Sequence, residues 1–256
     1  MKIAFTSVTF RKKSIEKIVE IALKNDVKNI EWGGDIHLPY GSFEVAKRIK
    51  ELTDCSKINN ISYGSYYVIG ENDLEKFGKI CEVANIIGAK IVRVWLGKNG
   101  SKNTSDGELN RYRLEACKLC EIAMKVGLIV ACEFHNNTCN DSGQSAVDFI
   151  KKVNAPNLMT MWQPLGNDKD DINNLIAVMP YLCEVHVFNW DSNNRRKLLA
   201  ENNNKWNNFF EILRKNSNVL PTTNELNCVL EFVKGDSARA FKQDILTLKK
   251  WCEQYS

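Results

Sequence analysis

The feature that most constrains this chain is a repeated alternation. Short apolar runs rich in β-branched and aromatic residues are each followed by a turn signal and then by a segment of helical periodicity. Lys2 to Phe10 reads as a strand, and Ser14 is placed to cap a helix with Ile15, Ile18, Val19 and Ala22 on its apolar face. The unit then recurs. Strands at 29–35, 61–69 and 91–96 are followed by helices over about 42–53, 74–87 and 111–126. A fifth strand begins at Gly127 and its helix spans 145–153; strands at 158–163, 183–190 and 228–233 precede helices over about 170–178, 205–215 and 238–252. Eight strands alternating with eight helices in 256 residues predict an α/β fold, a single-domain (β/α)8 barrel over residues 1–256. An open doubly wound sheet seldom uses eight evenly spaced units. No composition break or proline-rich linker divides the chain, and Asn202-Asn-Asn204 reads as a loop.

Charge and composition narrow the function classes. A net charge of +4 is small for this length, and Lys and Arg are spread along the whole chain, so no nucleic-acid footprint is expected. No apolar run approaches the length of a membrane span, and Met1 to Thr6 reads as the start of a strand rather than a signal peptide. Nine scattered cysteines, several inside apolar patterns, are expected to be buried free thiols in a reducing, cytoplasmic compartment. Cys117-Lys-Leu-Cys120 has CxxC spacing, but it lies in a helical pattern with no second pair, so no zinc or redox role is assigned to it.

In a barrel of this kind the active site is built at the C-terminal ends of the strands. The fifth strand, in Gly127-Leu-Ile-Val-Ala-Cys-Glu-Phe-His135, ends with Glu133 and His135 on one face. A carboxylate at the end of a buried strand implies a partner or a metal, because burying an isolated charge is costly. The chain has three histidines, His37, His135 and His186, and all fall near this rim. Carboxylates collect there too: Glu31 in the second strand, Glu133 in the fifth and Glu231 in the eighth, with Gln163 ending the sixth. Strands five to eight thus each offer one candidate ligand: Glu133, Gln163, His186 and Glu231. Two carboxylates, an imidazole and an amide oxygen suit one divalent ion of the Mn, Mg, Co or Zn kind. Arg93 and Trp95 share a face of the fourth strand, as substrate contacts or as barrel core with a buried ion pair. Trp32, Tyr66, Trp162 and Trp190 are candidates for an apolar wall against a sugar ring.

Five segments carry a family resemblance: Glu31-Trp-Gly-Gly-Asp-Ile-His37, Cys132-Glu-Phe-His-Asn-Asn137, Trp162-Gln-Pro164, His186-Val-Phe-Asn-Trp190 and Leu230-Glu-Phe232. In that order the chain resembles, over essentially its whole length, the xylose isomerase-like TIM barrels, the sugar phosphate isomerase/epimerase group. The resemblance implies that Glu133, Gln163, His186 and Glu231 bind one divalent metal. Gln163 is a departure, since many members carry aspartate there. It implies a metal-dependent sugar isomerase or epimerase that removes a proton next to a carbonyl through a metal-stabilised enediolate, with Glu133 and Glu231 as the acid/base pair. Glu31, His37, Arg93, His135, Trp162 and Trp190 are then expected to contact a small sugar or polyol-like substrate. Two alternatives stay open: a dehydratase of inosose or dehydroshikimate type, which uses the same chemistry with loss of water, and a non-catalytic sugar-binding barrel. Endonuclease IV, in the same superfamily, is disfavoured because its three-zinc site needs more His and Asp ligands than this chain supplies. Arg195-Arg-Lys197 reads as a solvated loop, so a free rather than phosphorylated substrate is favoured. Homo-oligomers occur in the family, and nothing in the sequence decides the assembly.

Overall fold

The expected alternation closes into a ring. A computed structural model describes residues 1–166, 168–221 and 225–255. Its strands are β1 (Lys2–Thr6), β2 (Asn29–Gly33), β3 (Asn59–Ile69), β4 (Ile91–Leu96), β5 (Ile129–Glu133), β6 (Leu158–Trp162), β7 (Leu182–Val187) and β8 (Asn227–Leu230). Each pairs in parallel with its sequence neighbours, and β1 pairs with β8 to close the barrel. The helices are α1 (Ile15–Lys24), α2 (Phe43–Cys55), α3 (Leu74–Ile87), α4 (Asp106–Met124), α5 (Gly143–Val153), α6 (Asp168–Val178), α7 (Asn203–Lys215) and α8 (Ala238–Gln254).

Several helix starts follow from side-chain caps. Ser14, Asp73, Ser142 and Ser237 each accept a backbone N–H of the first turn. Helix α4 starts five residues before its expected position because Ser105 and Glu108 form a capping box, a signal present in the sequence. Several strands are shorter than their apolar runs suggest. Ser7–Phe10 leaves β1 as a 3-10 turn, and β7 and β8 stop at Val187 and Leu230. The loops so released carry the rim residues.

Strand parity divides the core. Outward residues pack under the helices in one large cluster, whereas the barrel interior holds small apolar groups, including Ile91, Ala131, Met159, Met161 and Cys183. Above them, toward the C-terminal ends of the strands, the interior turns polar with Thr6, Glu31, Ser62, Arg93, Glu133, Glu184, His186 and Glu231, all buried. A register shift between Thr160 and Met161 pairs Thr160 with Leu182 and Met161 with Glu184. Cys183 is the extra residue, so both it and Glu184 belong to the interior. No helix among the described residues is long and apolar enough to cross a membrane. All nine cysteines are free, and all but Cys55 and Cys117 are buried.

Candidate metal centre and its mouth

The last residue of β5, Glu133, meets two side chains from β4. Arg93 Nε lies 3.3 Å from Glu133 Oε2, with both side chains almost wholly buried, and the Trp95 indole N–H donates to the same oxygen. The guanidinium also donates to the Gly64 carbonyl at 3.4 Å and lies 5.3 Å from the centre of the Tyr66 ring. Gly64 gives this approach room, because a Cβ would sit a tight 3.2–3.3 Å from the Arg93 guanidinium and the Glu31 carboxyl carbon. Arg93, expected among the substrate contacts, is therefore a buried counter-ion. Burial works against its charge, but Glu133 and Glu31 outweigh burial and hold it firmly protonated.

His186, near the end of β7, stands at the centre of four carboxylates. Its Nδ1 lies 3.3 Å from Glu231 Oε2 and 3.9 Å from Glu133 Oε1; its Nε2 lies 3.5 Å from Glu184 Oε1 and 3.6 Å from Glu31 Oε2. Burial favours the neutral ring, yet the charges of Glu31 and Glu231 raise its pKa well above the usual histidine value. Burial likewise pushes Glu31 up, but His186 and Arg93 together hold it at about 2. Glu184 goes the other way: burial, aided by the charge of Glu31, raises it to about 7 against the opposing pull of the nearby His186 ring.

This charge distribution fits a divalent cation. With the imidazole neutral, as a metal ligand must be, Glu31, Glu133, Glu231 and a partly ionised Glu184 face a single guanidinium. That leaves at least two negative charges in excess inside a buried site, an arrangement that is costly unless compensated. Both ring nitrogens of His186 and Oε1 of Glu31 are buried without a hydrogen-bond partner. Ligand atoms of Glu31, Glu184 and His186 lie within 4.8 Å of one another, a grouping that could hold a metal.

The structure thus brings together Glu31, Arg93, Glu133, His186 and Glu231 from the expected set. It adds Glu184, which the sequence reading missed. The signal was present: Glu184 stands two residues before His186 on one strand and so shares its face. Its carboxylate accepts from Ser62 Oγ at 3.1 Å and from Asn227 Nδ2 at 3.3 Å.

Over the cluster lies a cavity of about 680 Å³, with His135, Gln163, Phe188, Trp190, Lys205 and Phe232 in its lining. Gln163, almost wholly buried, belongs to the cavity lining. The His135 ring stacks on Trp95 with centroids 5.2 Å apart, and its Nδ1 lies 2.6 Å from the Asn136 carbonyl oxygen. Trp190 and Phe232 meet edge to face at 5.5 Å, and the Arg196 guanidinium covers both while pairing with Asp236. Two expected contacts do not reach the site. Trp162, adjacent to Gln163 and of opposite parity, points outward against Trp206 and Phe209 of α7. His37 is buried in the loop after β2, bonded through Nε2 to the Lys13 carbonyl at 3.0 Å and set edge-on to the Trp32 ring. Trp32 is itself fully buried, with its indole N–H donated to Asn60.

A closed (β/α)8 barrel with this acidic, histidine-centred rim defines a class, and the comparisons give it a family. The chain belongs to the family described as xylose isomerase-like TIM barrel, whose profile matches residues 17–250. It is similar to a 3-dehydroshikimate dehydratase of Bacillus anthracis, at 24% identity over 221 residues, covering 79% of this chain and 77% of the relative. Among solved structures, a probable 3-DHS dehydratase from Bacillus anthracis, involved in petrobactin synthesis, superposes with a TM-score of 0.79 at 19% identity, covering 97% of this chain and 99% of that one. D-psicose 3-epimerase from Clostridium cellulolyticum H10, solved with D-tagatose, superposes with a TM-score of 0.73 at 14% identity over 99% of both chains.

Proposed function

We propose that this protein is a divalent-metal-dependent enzyme that removes a proton next to the carbonyl of a small polyhydroxylated ketone, and that its reaction is elimination of water, as in a dehydroshikimate-type dehydratase. The observation that carries this reading is the state of His135. A backbone carbonyl can only accept, so Nδ1 of His135 must carry the proton it gives to Asn136, at 2.6 Å. In that tautomer the lone pair that can take a proton is on Nε2, beside the cavity. Glu133, the base expected from the sequence, has Oε2 already engaged by Arg93 and Trp95. A single base that passes its proton on to the leaving hydroxyl suits elimination, whereas epimerisation calls for two. The similarity to a 3-dehydroshikimate dehydratase supports the same choice.

Glu133, Gln163, His186 and Glu231 would hold the metal, an ion of the Mn, Mg, Co or Zn kind, which as a Lewis acid supplies electron withdrawal at the ketone oxygen. The remaining chemistry belongs to the chain. Trp190, Phe232 and Phe188 give one side of the cavity an aromatic surface for a ring. His135 Nε2 takes the proton from the carbon next to the carbonyl. The C–H electron pair becomes a C–C double bond, and the hydroxyl on the following carbon departs, taking back the proton from His135. One water leaves per turnover, and His135 returns to its starting state. A sugar epimerase is the second reading, favoured by the approach of Glu133 and Glu231 to the same edge of His186.

The test begins with elemental mass spectrometry on protein purified without chelator, beside Glu133→Gln and His186→Ala. About one divalent ion per chain, lost in both variants, is expected. Cyclic hydroxyketones, 3-dehydroshikimate among them, are then assayed for water loss. His135→Asn should lose on the order of 10²–10⁴ in rate, the usual scale for a general base, with metal content unchanged. Exchange into heavy water without loss of water would move the assignment to the epimerase. A chain that takes up no ion from excess Mn or Co would overturn the metal-dependent reading and leave a binding barrel.

A further inference from the structure

We infer that Glu184 is a positioning residue for the metal centre: it receives the Nε2–H of His186 and so reserves Nδ1 for the ion. The inference rests on the metal-binding reading above and adds which nitrogen binds and what holds the ring.

The two edges of the imidazole differ in access. On the Nε2 side, Glu31 and Glu184 are completely buried. On the Nδ1 side, Glu133 and Glu231 retain 5% exposure each. A catalytic metal keeps a coordination position open to substrate, and only the Nδ1 edge offers one. Once Nδ1 is committed, the other nitrogen carries a proton. In metal sites that N–H is almost always given to a carboxylate or carbonyl, which fixes the tautomer and the tilt of the ring.

Two carboxylates face Nε2, and they are not equivalent. Glu184 is anchored at both oxygens, with Oε1 accepting from Ser62 on β3 at 3.1 Å and Oε2 accepting from Asn227 on β8 at 3.3 Å. Glu31 has one oxygen without a partner and shares only a 3.4 Å contact with Ser62 through the other. A carboxylate pinned from two other strands, β3 and β8, is the better fixed point. The 3.5 Å separation of Nε2 from Glu184 is about 0.5 Å longer than a full N–H···O bond, a gap closed by a small ring movement. The competing arrangement puts the ion among Glu31, Glu184 and Nε2. None of those three residues is more than 1% exposed, so an ion there would have no open position for substrate.

The test is zinc titration by calorimetry with elemental analysis, joined to nitrogen-15 NMR of the histidine rings. The three histidines are assigned with His37→Ala and His135→Asn. Wild-type protein should bind one zinc and, when loaded, carry its His186 proton on Nε2. Glu184→Leu should bind zinc 10–100-fold more weakly, the usual scale for losing such an outer partner. Glu184→Gln should recover most of that loss, because its amide oxygen still accepts and Asn227 can turn to present its own oxygen. Ser62→Ala with Asn227→Leu, which leaves the carboxylate in place and guards against a folding failure, should fall between the two. A proton on Nδ1 of zinc-loaded wild type would overturn the inference. So would a Glu184→Leu variant that binds as tightly as wild type, or a second zinc that disappears with Glu184. Wild-type protein that takes up no zinc would instead overturn the metal reading itself, before any variant is compared.

Discussion

Replacing Arg93 by Met would test whether the buried charges of this barrel act as one coupled set. Arg93 is 3% exposed, its Nε lies 3.3 Å from Glu133, and Glu31 and Glu231 add their fields. Met matches the length of the aliphatic stem but removes the only guanidinium in the cluster. Breaking one partner of a buried pair costs about 3–5 kcal/mol, because the remaining charge stays buried without compensation. For a chain of this size each kcal/mol lowers the melting temperature by roughly 2–4 °C, so the expected drop is roughly 6–20 °C. The assay is urea denaturation in the presence of a chelator, which removes any contribution from bound metal. The deciding step is the double variant Arg93→Met with Glu133→Gln. Removing both members of the pair should be much milder than the sum of the two single changes, since neither charge is left stranded. Single changes that add to within about 0.5 kcal/mol, or a loss below about 1 kcal/mol for Arg93→Met, would refute the coupling.

Two further outcomes follow from the placement of individual side chains. Trp162→Ala should cost about 3–5 kcal/mol in stability, the range for emptying a large aromatic site, because the ring is buried against Trp206 and Phe209. Metal content should be unchanged, and loss of the ion in a folded variant would contradict the outward placement. Asp244, buried and accepting the Leu199 N–H at 2.8 Å, has its pKa raised by burial from 3.8 to about 6, with the Leu199 bond opposing and the charge of Glu201 adding to the rise. The native chain therefore binds more protons than the unfolded chain between those values. Asp244's contribution to stability is fully present below about pH 3.8 and is lost as pH rises through about 6. Denaturation midpoints of Asp244→Asn should fall less over that window than those of wild type, and parallel profiles would exclude Asp244 as the source.

What the sequence conveyed and what it withheld have separate physical causes. Period-two and period-3.6 patterns are local, so all eight units were legible, and parity correctly placed Glu133 and His135 on one face. Strand ends were harder to read. Apolar residues such as Val8, Phe10 and Phe188 continue the hydrophobic run after the ladder has stopped, because loops that cover the barrel rim also need apolar contacts. Parity also warned against one expectation. Gln163 and Trp162 are neighbours at the end of one strand and cannot both face inward, and the structure turns the tryptophan to α7. His37 failed for a different reason. It lies in a loop, where no periodicity reports direction, and its direction is set by a backbone carbonyl from another segment. Glu184 lies one pleat below His186, beneath the strand ends where substrate arrives, and only its shared parity with His186 marks it.

That deeper level bears on Gln163, the least expected of the proposed ligands. In the family resemblance this position often carries aspartate, and a neutral amide at a ligand position weakens the field on a bound cation. The structure supplies negative charge elsewhere. Glu31, held ionised with its pKa at about 2, stands 3.6 Å from the edge of His186 that faces away from Glu133 and Glu231. In a buried, low-dielectric site a carboxylate need not touch the ion to act on it, because Coulomb attraction there falls off slowly and is little screened. Arg93 then works in the opposite sense, cancelling one of the charges so that the site does not accumulate more repulsion than one divalent ion relieves. On the proposed ligand set the glutamine would thus leave a centre whose excess of at least two negative charges suits one divalent cation, with the compensating charge carried by Glu31 on β2.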